Sequence, residues 1–281
     1  MVTSKILGGL GNQMFQYAVG KNLALKNKTE LSLDLNELLN RQTVVDYTLR
    51  DFELDVFNID YKIFKKKDQS RLRSKVSQIL CPIIFVKEQN FLYDNEIIKK
   101  KGNLYLDGYW QNERYFKDIR NIILQDFTFK TPPNYLNNQL INSIASANSI
   151  AVHVRRGDYI SNHNANSYHG ICTKEYYTNA FNIIKSKVDN PTFFVFSDDL
   201  KAAKEILDFE SNIVLVDINS NGKNADDLRL MIGCKHNIIA NSTFSWWGAW
   251  LGTNSDKLVV APKCWFAKIE TDIIPNRWIK V

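Results

Sequence analysis

Cysteine is scarce. Cys81, Cys172, Cys234 and Cys264 are the only four in 281 residues, and none lies within CxxC distance of another. That excludes a zinc ribbon and a dithiol redox motif. Widely spaced cysteines in a chain this long read as reduced and mostly buried, as in a cytosolic compartment. Glycine and proline are few as well, 12 and 6 residues, which excludes collagen-like and low-complexity chains. No apolar run approaches the ~20 residues of a spanning helix; the longest, Ile79 to Val86, is broken by Pro82. The opening MVTSKILGGLGNQ lacks the apolar core of a signal peptide. The histidines are not paired at helical spacing, and the adjacent acids Asp198-Asp199 and Asp226-Asp227 do not form the spaced DxD that holds a nucleotide-sugar metal ion. Walker A and Gly-x-Ser-x-Gly motifs are missing too, so neither a P-loop nor a serine nucleophile is indicated.

What remains is ordinary globular material, 44% hydrophobic and 23% charged, too apolar to be disordered. The length fits two domains or one large one, with room for a core that needs no staples. The net charge of +6 is unevenly spread. Lys62, Lys65, Lys66, Lys67, Arg71, Arg73 and Lys75 face a single acid, Asp68. Such a run reads first as a solvated face. The apolar stretch that follows it gives a second reading, weak contact with an anionic membrane surface. Nucleic acid is not expected, because the run lacks interleaved aromatics.

Short apolar, β-branched runs recur at Lys5–Leu10, Leu31–Leu35, Leu104–Leu106, Ile150–Val154, Thr192–Phe196, Ile213–Val216, Asn237–Ala240 and Leu258–Ala261. Helical periods lie between them, through Phe15, Ala18, Val19 and Leu23, through Tyr177, Ala180, Phe181, Ile184 and Val188, and through Leu228, Met231 and Ile232. This is the pattern of an α/β protein with mainly parallel sheets. Pro132-Pro133 suits a linker, followed by a helix over Tyr135 to Ala147, so one domain is expected over residues 1–131 and another over 132–281. The stretch Asn36 to Lys100 is the least regular and reads as mostly helical.

Four motifs sit at strand ends. Gly8-Gly9-Leu10-Gly11-Asn12-Gln13-Met14 leads into a helix, where glycines allow a tight turn and close approach to a ligand. Met14 replaces the last glycine of GxGxxG, which weakens a dinucleotide reading that Asp34, as a ribose acid, would otherwise support. His153-Val-Arg155-Arg156-Gly-Asp158 places paired guanidiniums where α/β sheets bind ligands, and their geometry suits a pyrophosphate. In Ser197-Asp198-Asp199 the acids could bind a nucleotide or cap a helix. Asn241-Ser242-Thr243-Phe244-Ser245-Trp246-Trp247 offers hydroxyls and N–H groups at a helix start, with tryptophans that either fill a core or wall a sugar site.

In this order the motifs resemble the α-1,2-fucosyltransferase family of bacteria and animals, through Gly8–Tyr17, His153–Tyr159 and Cys234–Leu251. The resemblance spans nearly the whole chain and is of the bacterial type. It implies a GT-B fold, with two Rossmann-like domains facing across a cleft, an acceptor-side domain over 1–131 and a GDP-sugar-binding domain over 132–281. It implies inverting transfer of fucose from GDP-fucose, the substrate, to the 2-hydroxyl of a galactose-terminated glycan, with no metal or other cofactor. Carried over, Arg155 and Arg156 hold the pyrophosphate. His153 and Asp199 meet the nucleotide, while Ser242, Thr243 and Ser245 line the phosphate side. Asn12, with Gly9 and Gly11, reaches the fucose or phosphate. Arg155 and Asp158 are the catalytic candidates, Asp158 either as base or as an orienter of the arginines. A dinucleotide-dependent oxidoreductase and a non-catalytic binder on the same fold are the alternatives. The expected location is cytoplasmic, with the basic run at the inner membrane face.

Overall fold

The computed structural model describes residues 1–40, 50–64, 82–156, 171–219 and 224–281. It divides into two compact units, Met1–Thr131 and Pro132–Val281.

The first unit is an open five-stranded sheet in the order β3-β2-β1-β5-β4, with strands β1 (Val2–Lys5), β2 (Leu31–Asp34), β3 (Lys62–Ile63), β4 (Ile83–Lys87) and β5 (Asn103–Asp107). Every pairing is parallel. β1 is central and buried, as expected for a strand covered on both faces. It lies ahead of the apolar run Lys5–Leu10 in which a strand is expected and shares only Lys5 with it. Gly8 takes the left-handed φ of +74°, which turns the chain out of the sheet, and helix α1 (Leu10–Lys26) begins two residues later. α1 is buried almost all round, so its buried amides need partners. Gln16 Oε1 accepts from Leu7 N at 2.9 Å, and its Nε2 donates to Gly108 O at 3.3 Å. Gln13 Nε2 donates to Gly8 O and to Asp51 O, both at 2.8 Å, while its Oε1 accepts from Glu53 N at 3.0 Å.

The reading of Asn36 to Lys100 as mostly helical fails among its described residues. They hold β3, β4 and two short 3₁₀ turns, Leu54–Val56 and Ile97–Lys99. β4 is an edge strand with Ile84 and Phe85 exposed, so it shows neither the alternation nor the continuous burial that marks a strand in sequence.

The second unit is a six-stranded parallel sheet in the order β11-β10-β9-β6-β7-β8. Its strands are β6 (Asn148–Val154), β7 (Pro191–Ser197), β8 (Ile213–Leu215), β9 (His236–Ile238), β10 (Val259–Ala261) and β11 (Ile279–Lys280). The helices are α3 (Tyr135–Ser146), α4 (Lys174–Lys185), α5 (Leu200–Ile206), α6 (Asn224–Gly233) and α7 (Thr243–Trp250); a short α2 (Arg120–Asp126) belongs to the first unit. Counted from β8, the order is the doubly wound 3-2-1-4-5-6, with the first strand of the unit in the middle. Alternate residues of β6 feed two cores. Ile150, Val152 and Val154 pack with Tyr177, Ala180, Phe181 and Ile184; Ala151 packs with Phe194, Phe196, Leu230 and Met231. Asn134 caps α3, accepting from Asn137 N at 2.9 Å, and Thr173 caps α4, accepting from Tyr176 N at 3.2 Å.

Cys234 is buried, Cys172 partly so, and Cys264 is exposed, all three as free thiols. The expectation of mostly buried cysteines therefore fails at Cys264. Among the described residues no helix is long and apolar enough to cross a membrane.

Asp227 of α6 lies in a polar knot with Asn219 and Asn137. Burial, helped by the charge of Asp226 and opposed by the Asn219 hydrogen bond, pushes its carboxyl up to about 6. The folded state thus keeps a proton that the unfolded chain has already lost. This contribution favours folding below about pH 4 and is lost as the pH rises to about 6. Asp227→Asn keeps the acceptor for Asn219 and removes the charge. It is expected to raise stability at pH 8 by about 1–2 kcal/mol, with the gain vanishing near pH 4. Urea titrations at the two pH values check this; an equal gain at both would refute it.

Candidate functional site

In an open parallel sheet, ligands bind beyond the carboxyl ends of the strands, where neighbouring strands send their connections to opposite sides. In the second unit that point lies between β6 and β9, which pair from Ile150↔His236 to Val152↔Ile238. Two of the sequence motifs emerge there side by side, His153–Arg156 from β6 and Ala240–Ser245 after β9. Their contact is direct, with the rings of His153 and Phe244 5.9 Å apart.

His153 is buried, and its backbone carbonyl accepts from Tyr177 Oη at 3.0 Å. Burial and the charge of Arg155 lower its imidazole to about 4, against the pull of Asp198, so the ring is neutral at pH 7. Its Nδ1 is buried with no partner among the described residues. The arginine pair is held by the first acid of the Asp198-Asp199 motif, in a role that neither nucleotide binding nor helix capping covers. Asp198, at the end of β7, takes Arg155 Nη1 on Oδ2 at 2.9 Å and the backbone N–H of Arg156 on Oδ1 at 2.9 Å. One carboxylate thus fixes a guanidinium and the adjoining main chain, which leaves little reorganisation to do when a charged ligand arrives. Arg156 Nε is also buried without a partner among the described residues.

Asp199 caps α5, with its Oδ1 accepting from Ala202 N at 2.9 Å, so one of its two carboxylate oxygens is taken by the cap. Ser242 stands at the N-cap of α7 without a side-chain capping bond, and both it and Thr243 are partly exposed. Ser245 is fully buried; its hydroxyl donates to Ala240 O at 3.3 Å and Ser242 O at 3.1 Å. It braces the turn instead of facing a ligand. Trp246 and Trp247 are fully buried and fill the core behind the helix, so they form no sugar wall. Asp158 lies outside the described residues, as do Lys65, Lys66, Lys67, Arg71, Arg73 and Lys75. Lys62 of the basic run is described, and its ammonium pairs with Glu30 at 2.6 Å.

In the first unit the corresponding point lies between β1 and β5, which pair from Val2↔Leu104 to Ser4↔Leu106. Gly8, Gly9, Gly11 and Asn12 gather there. Asn12 Oδ1 accepts from Gln111 Nε2, on the loop after β5, at 2.9 Å. Asp34 is spent elsewhere: it accepts from Tyr105 Oη at 2.8 Å and from Asn36 N and Nδ2 at 3.0 and 2.6 Å. A buried acid with both oxygens occupied is a poor ribose ligand, which counts against the dinucleotide reading. Gln111 escaped sequence analysis, since only the β1–β5 pairing brings it beside Asn12.

Comparison with known proteins agrees with this geometry. The profile of Glycosyl transferase family 11 matches residues 1–281. The chain is 36% identical to the alpha-1,2-colitosyltransferase of Escherichia coli, over 100% of this chain and 99% of that protein. It is 34% identical to the O-antigen biosynthesis glycosyltransferase WbnK of Escherichia coli, over 99% of each. Among solved structures, NodZ alpha-1,6-fucosyltransferase soaked with GDP-fucose matches at a TM-score of 0.53 and 14% identity, over 89% of this chain and 91% of that one. At that identity the likeness is one of fold.

Proposed function

Because the chain belongs to glycosyl transferase family 11 and has the α/β fold of the GT-B fucosyltransferases, we propose that this glycosyltransferase moves fucose from GDP-fucose to the 2-hydroxyl of a terminal galactoside. The observation that carries this is the Asp198 clamp on Arg155 and Arg156, set beside the start of α7. Arg155 and Arg156 bind the pyrophosphate and offset the negative charge that grows on GDP as the glycosidic bond breaks. That stabilisation is greatest in the transition state. The start of α7, with Ser242 and Thr243, adds N–H groups and hydroxyls on the phosphate side. Neutral His153 and the free side of Asp199 meet the nucleotide. On this reading residues 132–281 bind the GDP-sugar and residues 1–131 serve the acceptor. Transfer inverts the anomeric carbon and uses no metal, with Asp158 as the base that takes the acceptor proton. The acceptor is a surface glycan such as an O-antigen, made in the cytoplasm, with the basic run resting on the inner membrane face.

The 36% identical colitosyltransferase supports a second donor, GDP-colitose. Colitose is fucose without its 3-hydroxyl, and a site built to hydrogen-bond that hydroxyl rejects the deoxy sugar strongly. One set of measurements tests the whole reading. GDP is expected to raise the melting temperature by mass action, UDP to leave it unchanged, and EDTA to leave turnover intact. Stabilisation by UDP alone would refute the donor class, and loss of turnover restored by Mg²⁺ would refute the metal-free mechanism. The ratio of kcat/KM for the two GDP-sugars then assigns the donor.

A further inference from the structure

We propose that Gln111 is a positioning residue for glycosyl transfer, acting through Asn12; this rests on the reading of Asn12 as a substrate-facing residue. The two amides meet where the connections after β1 and β5 diverge, and the surroundings of each fix its orientation. Gln111 is buried, 8% exposed, with its Nε2 on Asn12 Oδ1 and its Oε1 buried without a partner among the described residues. Turning either amide alone would set like groups against each other. Turning both would bury the two N–H donors of Gln111 in place of one carbonyl, at greater desolvation cost. The carbonyl of Asn12 is therefore held inward. Its NH₂ lies over Gly8, where an added Cβ would come within 2.6 Å of Nδ2, and it has no hydrogen-bond partner among the described residues. Only a glycine at position 8 leaves that group its place.

Gln111 is itself set by a tight loop. Glu88, following β4, accepts Tyr109 N at 2.7 Å and Trp110 N at 3.0 Å on its two carboxylate oxygens. This holds Trp110, buried and non-glycine, at a left-handed φ of 57°. Gly108 permits the grip, since a Cβ there would stand 2.4 Å from Glu88 Cβ. Such strain persists where the surroundings over-determine it, and it concentrates at functional sites. Its result here is to deliver Gln111 to Asn12. The outward NH₂ of Asn12 is then a preoriented donor for an oxygen of the sugar substrate, either a ring hydroxyl or a phosphate oxygen.

A double-mutant cycle tests this on the full-length enzyme, with kcat and KM measured for donor and acceptor and folding followed by circular dichroism. Asn12→Ala is expected to lower kcat/KM about tenfold, the worth of one oriented hydrogen bond. Gln111→Met is expected to lower it by a similar factor, and the double variant to be no worse than Asn12→Ala alone. Should Gln111→Met fail to fold, the same cycle with Gln111→Glu decides: its carboxylate takes the Asn12 NH₂ and turns the carbonyl outward, and its effect should vanish in the Asn12→Ala background. Losses that multiply in the double variant, or wild-type kinetics for the position 111 variant, overturn the positioning role alone. Wild-type kinetics for Asn12→Ala overturn the reading beneath it.

Discussion

Arg155→Ala is expected to lower kcat by about 10²–10³-fold, the loss seen when one preorganised charge-stabilising donor is removed. Without it, negative charge develops on the departing GDP against Arg156 and the α7 start alone, and the negative charge of Asp198 loses the guanidinium that balances it. The two effects act in one direction. Arg155→Lys is expected to recover only part of the loss, since an ammonium keeps the charge and cannot fork across two oxygens. Fold stability should fall by about 1–3 kcal/mol, because the Arg155–Asp198 pair is only about one quarter exposed on each side, and breaking a partly buried charged pair costs more than breaking a surface one. Steady-state turnover with saturating GDP-sugar, alongside a urea titration, checks both halves. Turnover within threefold of wild type would remove Arg155 from the mechanism, threefold being well under the ~10² floor expected here.

Trp246→Ala is expected to destabilise the protein by about 3–5 kcal/mol, the range for truncating a large core aromatic. Trp246 has no exposed surface. It stacks on Trp250 at 6.0 Å and meets Trp247 and Trp278 edge-on or tilted at 5.1 and 5.4 Å. Its Nε1 donates to Ile273 O at 2.9 Å, so the truncation also strands a carbonyl, at a further cost of about 1 kcal/mol. Domain stabilities are about 5–15 kcal/mol, so the loss is a large fraction of the whole. Trp246→Phe, which keeps most of the volume, is expected to cost less. Chemical denaturation gives the answer directly: a change below about 1 kcal/mol would mean the site repacks around the gap. Because α7 carries Ser242 and Thr243 at its start, weaker GDP binding should accompany the loss of stability.

The α/β class and the chain order of the ligand-facing motifs are legible because buried parallel strands leave continuous β-branched runs, as in Ile150–Val154, and motifs follow directly at their ends. Strand limits are less so. Ile6 and Leu10 are both buried and prolong the apolar run, yet the strand closes at Lys5, ahead of the turn at Gly8. Edge strands are harder still, since Phe85 and Ile84 have no inner face to match. Within the site, the sequence shows which residues are charged but not which of two adjacent acids turns where. Asp198 and Asp199 differ only in the direction each leaves β7, one toward the arginines and one into the cap of α5. Glu88 and Gln111 carry no local signal, because their partners come from other strands of the sheet.

The all-parallel construction of both sheets has a consequence for how the chain is made. Among the described residues no strand pairs through a hairpin, so every ladder there waits for a crossover. Each central strand meets its second neighbour late, β1 only when Leu104 comes to lie against Val2 and β6 only when His236 comes to lie against Ile150. Loop-closure cost grows with the length enclosed, and non-local pairing slows folding. During synthesis the central strand of the first sheet is therefore left with one side open while the intervening segment emerges. Over that interval the nascent chain is most exposed to strand-to-strand association with its neighbours, which makes slower translation through this region, or lower temperature, the natural lever on soluble yield.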